Sequence, residues 1–256
     1  MFRNRLQRTT IALALALPSV AAFPQFLQPL PGTAATGSTS NTMTIEIWSD
    51  VVCPFCYIGK REFENALQQF DHKADVKVVW KSFELDPNAP ARSEHDMYGM
   101  LVSKYGGTRD DAKARVQGVV DRAKTVGLDY QMDKAVIGNS FDAHRLIQLA
   151  KTKGKGAEAE ERLFKAYFTE GIHLADHASL VRLGQEIGLD KDEVSTMLAS
   201  TSFTNEVRTD EREAQQLGIR GVPYFVIDRR YGVSGAQQSA HFLGALQQAW
   251  AERSAK

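Results

Sequence analysis

The sequence predicts an α/β fold in which a strand–helix–strand unit and a strand–strand–helix unit are separated by a large all-helical insertion. Residues 44–49 alternate between apolar and polar side chains, as in a half-buried strand, and a proline-free helical stretch follows them. A second strand is predicted at residues 75–85, where a proline-containing turn at residues 86–90 ends it. The β pattern returns only at residues 221–234, which indicate a hairpin before a last helix.

These elements divide the chain into three parts. Residues 1–42 are a leader and flexible linker, residues 43–90 and 218–256 form the α/β domain, and residues 91–217 form the helical insertion domain. A strand, a helix and a parallel strand in this order make a right-handed unit. Within the insertion, breaks that contain Gly, Asp or Asn separate predicted helices at residues 96–105, 108–126, 140–152, 157–170, 178–187, 191–199 and 204–217.

The leader has the pattern of a secretory signal peptide. Three arginines precede an apolar run over residues 11–17, and small residues around Ala22 provide a cleavage site. Residues 23–42 are rich in Pro, Gly, Ser and Thr, which is typical of a flexible linker. We therefore expect a periplasmic or secreted protein. An organellar transit peptide, or a cytoplasmic protein that starts at Met43, remains an alternative.

Composition excludes some classes of function. The 256 residues are 43% hydrophobic and carry a formal net charge of zero, so no general attraction to nucleic acid or anionic membranes is expected. No apolar stretch of about 20 residues occurs, so we expect no integral membrane span in the body of the protein. We see no phosphate-binding loop and no metal-ligand cluster, and we expect no bound cofactor.

Both cysteines of the chain, Cys53 and Cys56, lie where the first strand passes into a helix. Unpaired N–H groups at a helix N-terminus stabilise a thiolate, so the pKa of Cys53 should fall into the range of about 3.5–7.5. Pro54 suits the first helical position because it lacks an N–H group. Cys56, one turn later, is the natural resolving thiol. A redox-active pair is therefore the main hypothesis.

Two structural uses of the cysteines fit the sequence less well. A disulfide that closes so short a loop adds little stability. A zinc site normally has four ligands. The only candidates for the two ligands besides the cysteines are His173 and His177. We expect these two histidines to be surface or capping residues.

The ordered set of motifs resembles the DsbA family of the thioredoxin superfamily. The residues within these motifs are most similar to those of the FrnE-like branch. This resemblance implies a thioredoxin fold that is interrupted by a helical domain, with thiol–disulfide exchange as its chemistry. It also implies that Val222-Pro223 is a cis peptide facing the cysteines, that both residues bind substrate, and that Cys53 is the nucleophile. The resemblance covers residues 44–250 and rests on the stretches at residues 49–60, 139–146, 163–171, 218–227 and 231–237.

The chain departs from the well-known periplasmic oxidants of this family at one position. Those proteins have Pro-His between the cysteines, whereas this chain has Pro54-Phe55. Because Phe55 offers neither a hydrogen bond nor a charge to the thiolate, we expect a less extreme pKa at Cys53 and a weaker oxidant. The sequence leaves the direction of electron flow open. We expect substrate proteins or thiols and a redox partner, but the sequence does not identify them.

Two other functions remain alternatives. Related thioredoxin-fold proteins include glutathione-dependent 2-hydroxychromene-2-carboxylate isomerases and kappa-type glutathione transferases, for which glutathione would be the co-substrate. A client-binding chaperone would use a groove in the insertion, formed by Met97, Tyr98, Met100, Phe164, Tyr167 and Phe168.

Three further residues are candidates for a supporting role. His144 either faces the cleft or bridges the two domains. Asp50 or Glu84 is the proton acceptor for Cys56, and the sequence does not decide between these carboxylates.

Overall fold

A computed structural model describes residues 27–30 and 42–254. The predicted signal peptide and most of the predicted linker lie outside these residues. The strands are β1 (Gln28–Pro29), β2 (Met43–Ser49), β3 (Val76–Ser82), β4 (Tyr224–Ile227) and β5 (Tyr231–Ser234). The helices are α1 (Pro54–Gln69), α2 (Met97–Tyr105), α3 (Arg109–Lys124), α4 (Phe141–Thr152), α5 (Gly156–Phe168), α6 (His177–Glu186), α7 (Lys191–Leu198), α8 (Thr204–Gln216) and α9 (Ser239–Ser254).

The sheet confirms the predicted α/β topology. Its strand order is β1-β5-β4-β2-β3, with β2 parallel to β3 and antiparallel to β4. The hairpin β4–β5 is antiparallel, as predicted. The chain therefore forms a thioredoxin fold, in which β2-α1-β3 and β4-β5-α9 are joined through the helices α2–α8.

Part of the predicted linker belongs to the sheet. Gln28 pairs with Gly232, and the N–H group of Leu30 donates to the carbonyl of Arg230 at 3.0 Å, so β1 extends the hairpin edge. The prediction of a flexible linker is therefore wrong for residues 27–30. The Pro, Gly, Ser and Thr content of the segment led to the linker prediction. The segment nevertheless contains Leu27 and Leu30, which are both buried against the sheet. Pro29 is tolerated because β1 is an edge strand.

The two faces of the sheet are covered by different helices. On one face, α1 and α9 pack through Phe63 and Phe242 onto Phe225 of β4, with ring centroids 4.5–5.8 Å apart. On the other face, Trp48 of β2 is fully buried, and its indole N–H donates to the carbonyl of Asp210 in α8 at 2.8 Å. The contact of Trp48 fixes β2, the strand that leads into the cysteine pair.

The helices of the insertion lie close to where the sequence predicts them, because their start signals are local. Thr108 forms a capping box with Asp111 at the start of α3, and Asp96 caps α2. The apolar core of the insertion continues without a break to the cysteine pair, since Tyr57 and Cys56 belong to the same buried cluster as the helices α3–α7. None of the helices in the described part of the chain is long and apolar enough to cross a bilayer.

Candidate active site

The cysteine pair lies at the N-terminus of α1, as predicted. Cys53 is the N-cap residue and Pro54 the first helical residue, and the first turn carries no acidic side chain. The N–H group of Cys56 donates to the carbonyl of Cys53 at 3.0 Å, which closes a single turn between the two thiols. Cys53 is 4% exposed and Cys56 is 1% exposed, so the second thiol is the more deeply buried one.

The environment of Cys56 keeps this residue a thiol. Burial raises its pKa well above the usual value, and the neighbouring Cys53 and the charge of Asp50 raise it further. A backbone hydrogen bond from Asp50 acts in the opposite direction and is outweighed. Cys56 therefore needs a proton acceptor before it can act as a nucleophile.

The loop before β4 lies directly against the first cysteine. The thiol of Cys53 donates to the carbonyl oxygen of Val222, with 3.6 Å between sulfur and oxygen. Val222-Pro223 is a cis peptide, which confirms the expectation from the resemblance. Gly59 allows the loop to approach α1, because a Cβ atom at this position would lie 3.0 Å from Cγ of Pro223.

A tyrosine that the sequence analysis missed holds the first turn of α1. The hydroxyl of Tyr130 donates to the carbonyl of Pro54 at 2.7 Å, and its ring stacks on Phe168 at 4.7 Å between centroids. Burial raises the pKa of Tyr130, and the nearby Cys53 thiol raises it further. Tyr130 follows α3 in a segment without regular structure, so no periodic pattern pointed to it.

Asp50 is a buried carboxylate three residues before Cys53. Its side chain is 1% exposed, and its Oδ2 atom accepts a hydrogen bond from the N–H group of Leu85 at 2.8 Å. Its Oδ1 atom lies 3.3 Å from Nε2 of His144, which is fully buried in α4 of the insertion. His144 therefore bridges the insertion and the α/β part, which is one of its two predicted roles.

Glu160 of α5 extends this buried polar group. Burial raises its pKa from 4.5 to about 7, although the charges of His144 and Lys60 oppose the shift. Burial alone would lower the pKa of His144, but its hydrogen bond to Asp50 and the nearby carboxylates raise it. Among the described residues, Nδ1 of His144 and Oε2 of Glu160 have no hydrogen-bond partner.

Glu84 lies in a different network from Asp50. Its carboxylate pairs with Arg208 at 2.5 Å and accepts from the Nδ2 group of Asn139 at 3.2 Å. The charge of Asp50 acts on the pKa of Cys56, whereas Glu84 is engaged by these two partners. Of the two candidate carboxylates, only Asp50 is therefore among the groups that act on the pKa of the second thiol.

The cations that follow the cysteines on α1 are engaged by carboxylates. Lys60 pairs with Glu161 at 2.6 Å, and Arg61 pairs with the same carboxylate. Although burial opposes it, the hydrogen bond from Arg61 and the charge of Lys60 lower the pKa of Glu161 to about 2. This network joins α1 to α5 and leaves the N-terminus of α1 as the main positive element at the thiols.

An open cleft of about 710 Å³ extends from Cys53 between the first turn of α1 and the helices α2 and α3. Its lining is mainly apolar. The three large hydrophobic side chains that are exposed in the described chain, Phe55, Leu85 and Tyr105, all line it. The cleft also reaches Val222, so the thiol and the cis-proline loop share one opening.

The proposed chaperone groove and the zinc alternative fit this structure poorly. Phe164 and Phe168 are fully buried in the core and cannot line a groove, whereas Met97 and Met100 do line the cleft. His173 is bonded to the carbonyl of Ala91 at 2.7 Å, and His177 to Asp142 at 2.8 Å. The described residues contain no group of side chains that could hold a metal ion.

A thioredoxin fold with a Cys-x-x-Cys pair at the start of α1 and a cis-proline loop against it defines a thioredoxin-type thiol protein. The sequence matches the DSBA-like thioredoxin domain over residues 44–247, and the chain belongs to this family.

Three known proteins are similar to this chain in sequence or in fold. The uncharacterized protein YwbO of Bacillus subtilis is 30% identical over 187 residues, which is 73% of this chain and 87% of that protein. The structure of a probable DsbA oxidoreductase from Streptomyces coelicolor is 43% identical, with a TM-score of 0.80 over 82% of this chain and 91% of that one. A 2-hydroxychromene-2-carboxylate isomerase is 14% identical, with a TM-score of 0.59 over 83% of this chain and 98% of that one, and shares the fold.

Proposed function

We propose that the protein is a thiol–disulfide oxidoreductase that exchanges disulfides with protein thiols through Cys53 and Cys56, as in the FrnE-like branch of the family. The observation that carries the proposal is Cys53, the N-cap residue of α1, whose thiol donates to the carbonyl of Val222 and borders the open cleft. Helix N-terminal N–H groups stabilise the thiolate that such exchange requires.

In the reducing direction, the Cys53 thiolate attacks one sulfur of a substrate disulfide. A mixed disulfide forms, and the other substrate sulfur leaves as a thiolate. Cys56 then transfers its proton to Asp50 and attacks the sulfur of Cys53. This step releases the second substrate thiolate and leaves the Cys53–Cys56 disulfide, so one substrate disulfide is reduced for each protein dithiol oxidised. The oxidising direction runs through the same steps in reverse.

Val222 and Pro223 are proposed to bind the substrate next to the reacting sulfur. Their loop precedes β4 and shares the cleft with Cys53, so an extended peptide can pair with its backbone in the β-type mode. The carbonyl of Val222 accepts from the Cys53 thiol in the free protein. A substrate N–H group takes this place when the thiol has reacted.

The two sulfurs themselves carry the electrons in this proposal, so no bound cofactor is invoked. Glutathione serves as a co-substrate that restores the dithiol, and in an exported protein an oxidising redox partner restores the disulfide. A glutathione-dependent isomerase is the alternative, but it gives no role to a second thiol buried one turn after the first. An isomerase activity that persists in Cys56→Ala would support that alternative.

The test is a pair of cysteine variants with a disulfide-linked peptide as substrate, followed by mass spectrometry. Cys53→Ser is expected to abolish exchange, whereas Cys56→Ser is expected to accumulate a mixed disulfide between Cys53 and the peptide. The double variant Cys53→Ser/Cys56→Ser is the control for reaction with buffer thiols. Full exchange activity in Cys53→Ser would refute the proposal.

A further inference from the structure

We infer that the cleft beside Cys53 selects polypeptide substrates in which an apolar side chain neighbours the reacting cysteine and an acidic side chain follows it. This inference names the substrate class and rests on the proposed function. Two independent features of the cleft carry it, namely an exposed apolar wall and two cations at its mouth.

The apolar wall is formed from both parts of the chain. Phe55 projects from the first turn of α1 with 46% of its surface exposed, and Leu85 follows β3 with 43% exposed. Met97 and Met100 of α2 line the opposite side. Exposed apolar side chains gathered in one concave surface mark a binding site. Methionine side chains adapt to apolar groups of different shape.

The cations come from the two insertion helices that face the thiol. Lys104 lies in the last turn of α2 and Arg115 lies in α3, and both side chains line the cleft. Neither forms a salt bridge within 4.0 Å in the described chain. The ammonium of Lys104 lies over the ring of Tyr105 at 5.8 Å from its centroid. Arg115 lies close enough to Asp111 for the two charges to interact. This differs from Lys60 and Arg61, whose charges are taken up by Glu161.

The acidic groups near the cleft offset this positive charge only in part. Asp50 is buried and bonded to Leu85 and His144. The carboxylate of Asp111, one turn before Arg115, accepts from the backbone and the hydroxyl of Thr108. Asp86 is the one exposed acidic side chain in the lining, and its Oδ1 atom accepts from the N–H group of Asn88. A substrate carboxylate can therefore approach Lys104 and Arg115, with Asp86 as the one exposed acid that opposes it in the lining.

A polypeptide fits these features better than a small polar thiol. A cleft of about 710 Å³ accommodates several side chains, and most of its wall offers no hydrogen-bond partner. An extended chain that pairs with the loop at Val222 advances about 3.3 Å per residue. It would carry its side chains from Cys53 along the cleft toward α2 and α3. The recognised segment is thus a cysteine beside an apolar residue, with an acidic residue about two to four positions away.

The test uses four single-cysteine peptides as symmetric disulfide dimers, so that attack on either sulfur gives the same products. Phe or Ser stands beside the cysteine. Glu or Gln stands at each of the positions about two to four residues from the cysteine. The reduced full chain is mixed with each dimer at low ionic strength, and the rate of peptide thiol release is measured. The variant Lys104→Gln/Arg115→Gln is compared with Lys113→Gln/Lys124→Gln, which removes the same charge from α3 outside the cleft.

The wild type is expected to react about tenfold faster with the Phe peptides and roughly three- to tenfold faster with the Glu peptides. The Glu preference should shrink in high salt, disappear in Lys104→Gln/Arg115→Gln and persist in Lys113→Gln/Lys124→Gln. Equal rates with all four peptides, while the small neutral 2-hydroxyethyl disulfide still reacts, would overturn this inference and leave the proposed function intact. A Glu preference that survives the loss of Lys104 and Arg115 would also overturn it. Failure to react with any disulfide would overturn both.

Discussion

Replacing Glu160 with glutamine is expected to stabilise the folded protein above neutral pH and to remove much of the pH dependence of its stability. Glu160 is fully buried in α5, and its Oε2 atom has no hydrogen-bond partner among the described residues. A charge at this position is not solvated, and burial raises the pKa of the carboxyl from 4.5 to about 7.

The size and sign of the effect follow from this shift. Below pH 4.5 the carboxyl is protonated in both the folded and the unfolded state, so it makes no difference to the free energy of unfolding. Between pH 4.5 and about pH 7 the unfolded state loses the proton while the folded state keeps it, so the free energy of unfolding falls as pH rises. A shift of this size, at about 1.4 kcal/mol per pKa unit, corresponds to at most about 3–4 kcal/mol at pH 8.

The assay is urea denaturation of the reduced protein at a series of pH values from about 4 to 8.5, the interval that brackets both pKa values. Glu160→Gln keeps the shape of the side chain but does not titrate, so the stability difference from the wild type should grow from near zero in acid to its maximum above neutral pH. Glu158→Gln, at an exposed position in the same helix, is the matched control. Parallel pH profiles for the wild type and Glu160→Gln would refute the reasoning.

Two further predictions concern the thiols. Gly59→Ala places a methyl group 3.0 Å from Cγ of Pro223, so exchange should slow several-fold and stability should fall by about 1–3 kcal/mol. Gly118→Ala, with no atom within 4 Å, should instead be neutral or stabilising, and an equal effect of both changes would contradict the role of close approach. Asp50→Asn should slow resolution of the mixed disulfide by at least about tenfold but leave the first attack nearly unchanged, as stopped-flow quenching would show. Glu84→Gln is its control, and equal slowing of both steps by Asp50→Asn would count against the proton transfer.

The fold could be predicted well because its signals are local. The capped start at Thr108 and the strand that follows Pro223 each depend on a few adjacent residues. Leu27 and Leu30 show the limit of this approach, because their partner strand β5 lies two hundred residues further along the chain. Composition alone therefore placed them in a flexible linker.

The site could be predicted in part. Cys53, Cys56 and the cis peptide before Pro223 were assigned from motifs, but the groups that tune them come from distant segments. Tyr130 reaches the carbonyl of Pro54 from a segment without regular structure. The choice of Asp50 over Glu84 depends on which carboxylate is engaged by Arg208, and this is a property of the packed structure.

The insertion forms part of the thiol site as well as part of the substrate cleft. Its α4 supplies His144, which lies 3.3 Å from Asp50, and its Tyr130 holds the first turn of α1. The same insertion provides Lys104 and Arg115 at the mouth of the cleft. A change in how the insertion packs on α1 would therefore alter both the surroundings of Asp50, the proposed proton acceptor, and the surface that is proposed to select the substrate. Phe55 offers neither a charge nor a hydrogen bond to the first thiol, so the insertion reaches the surroundings of the cysteine pair through His144 and Tyr130.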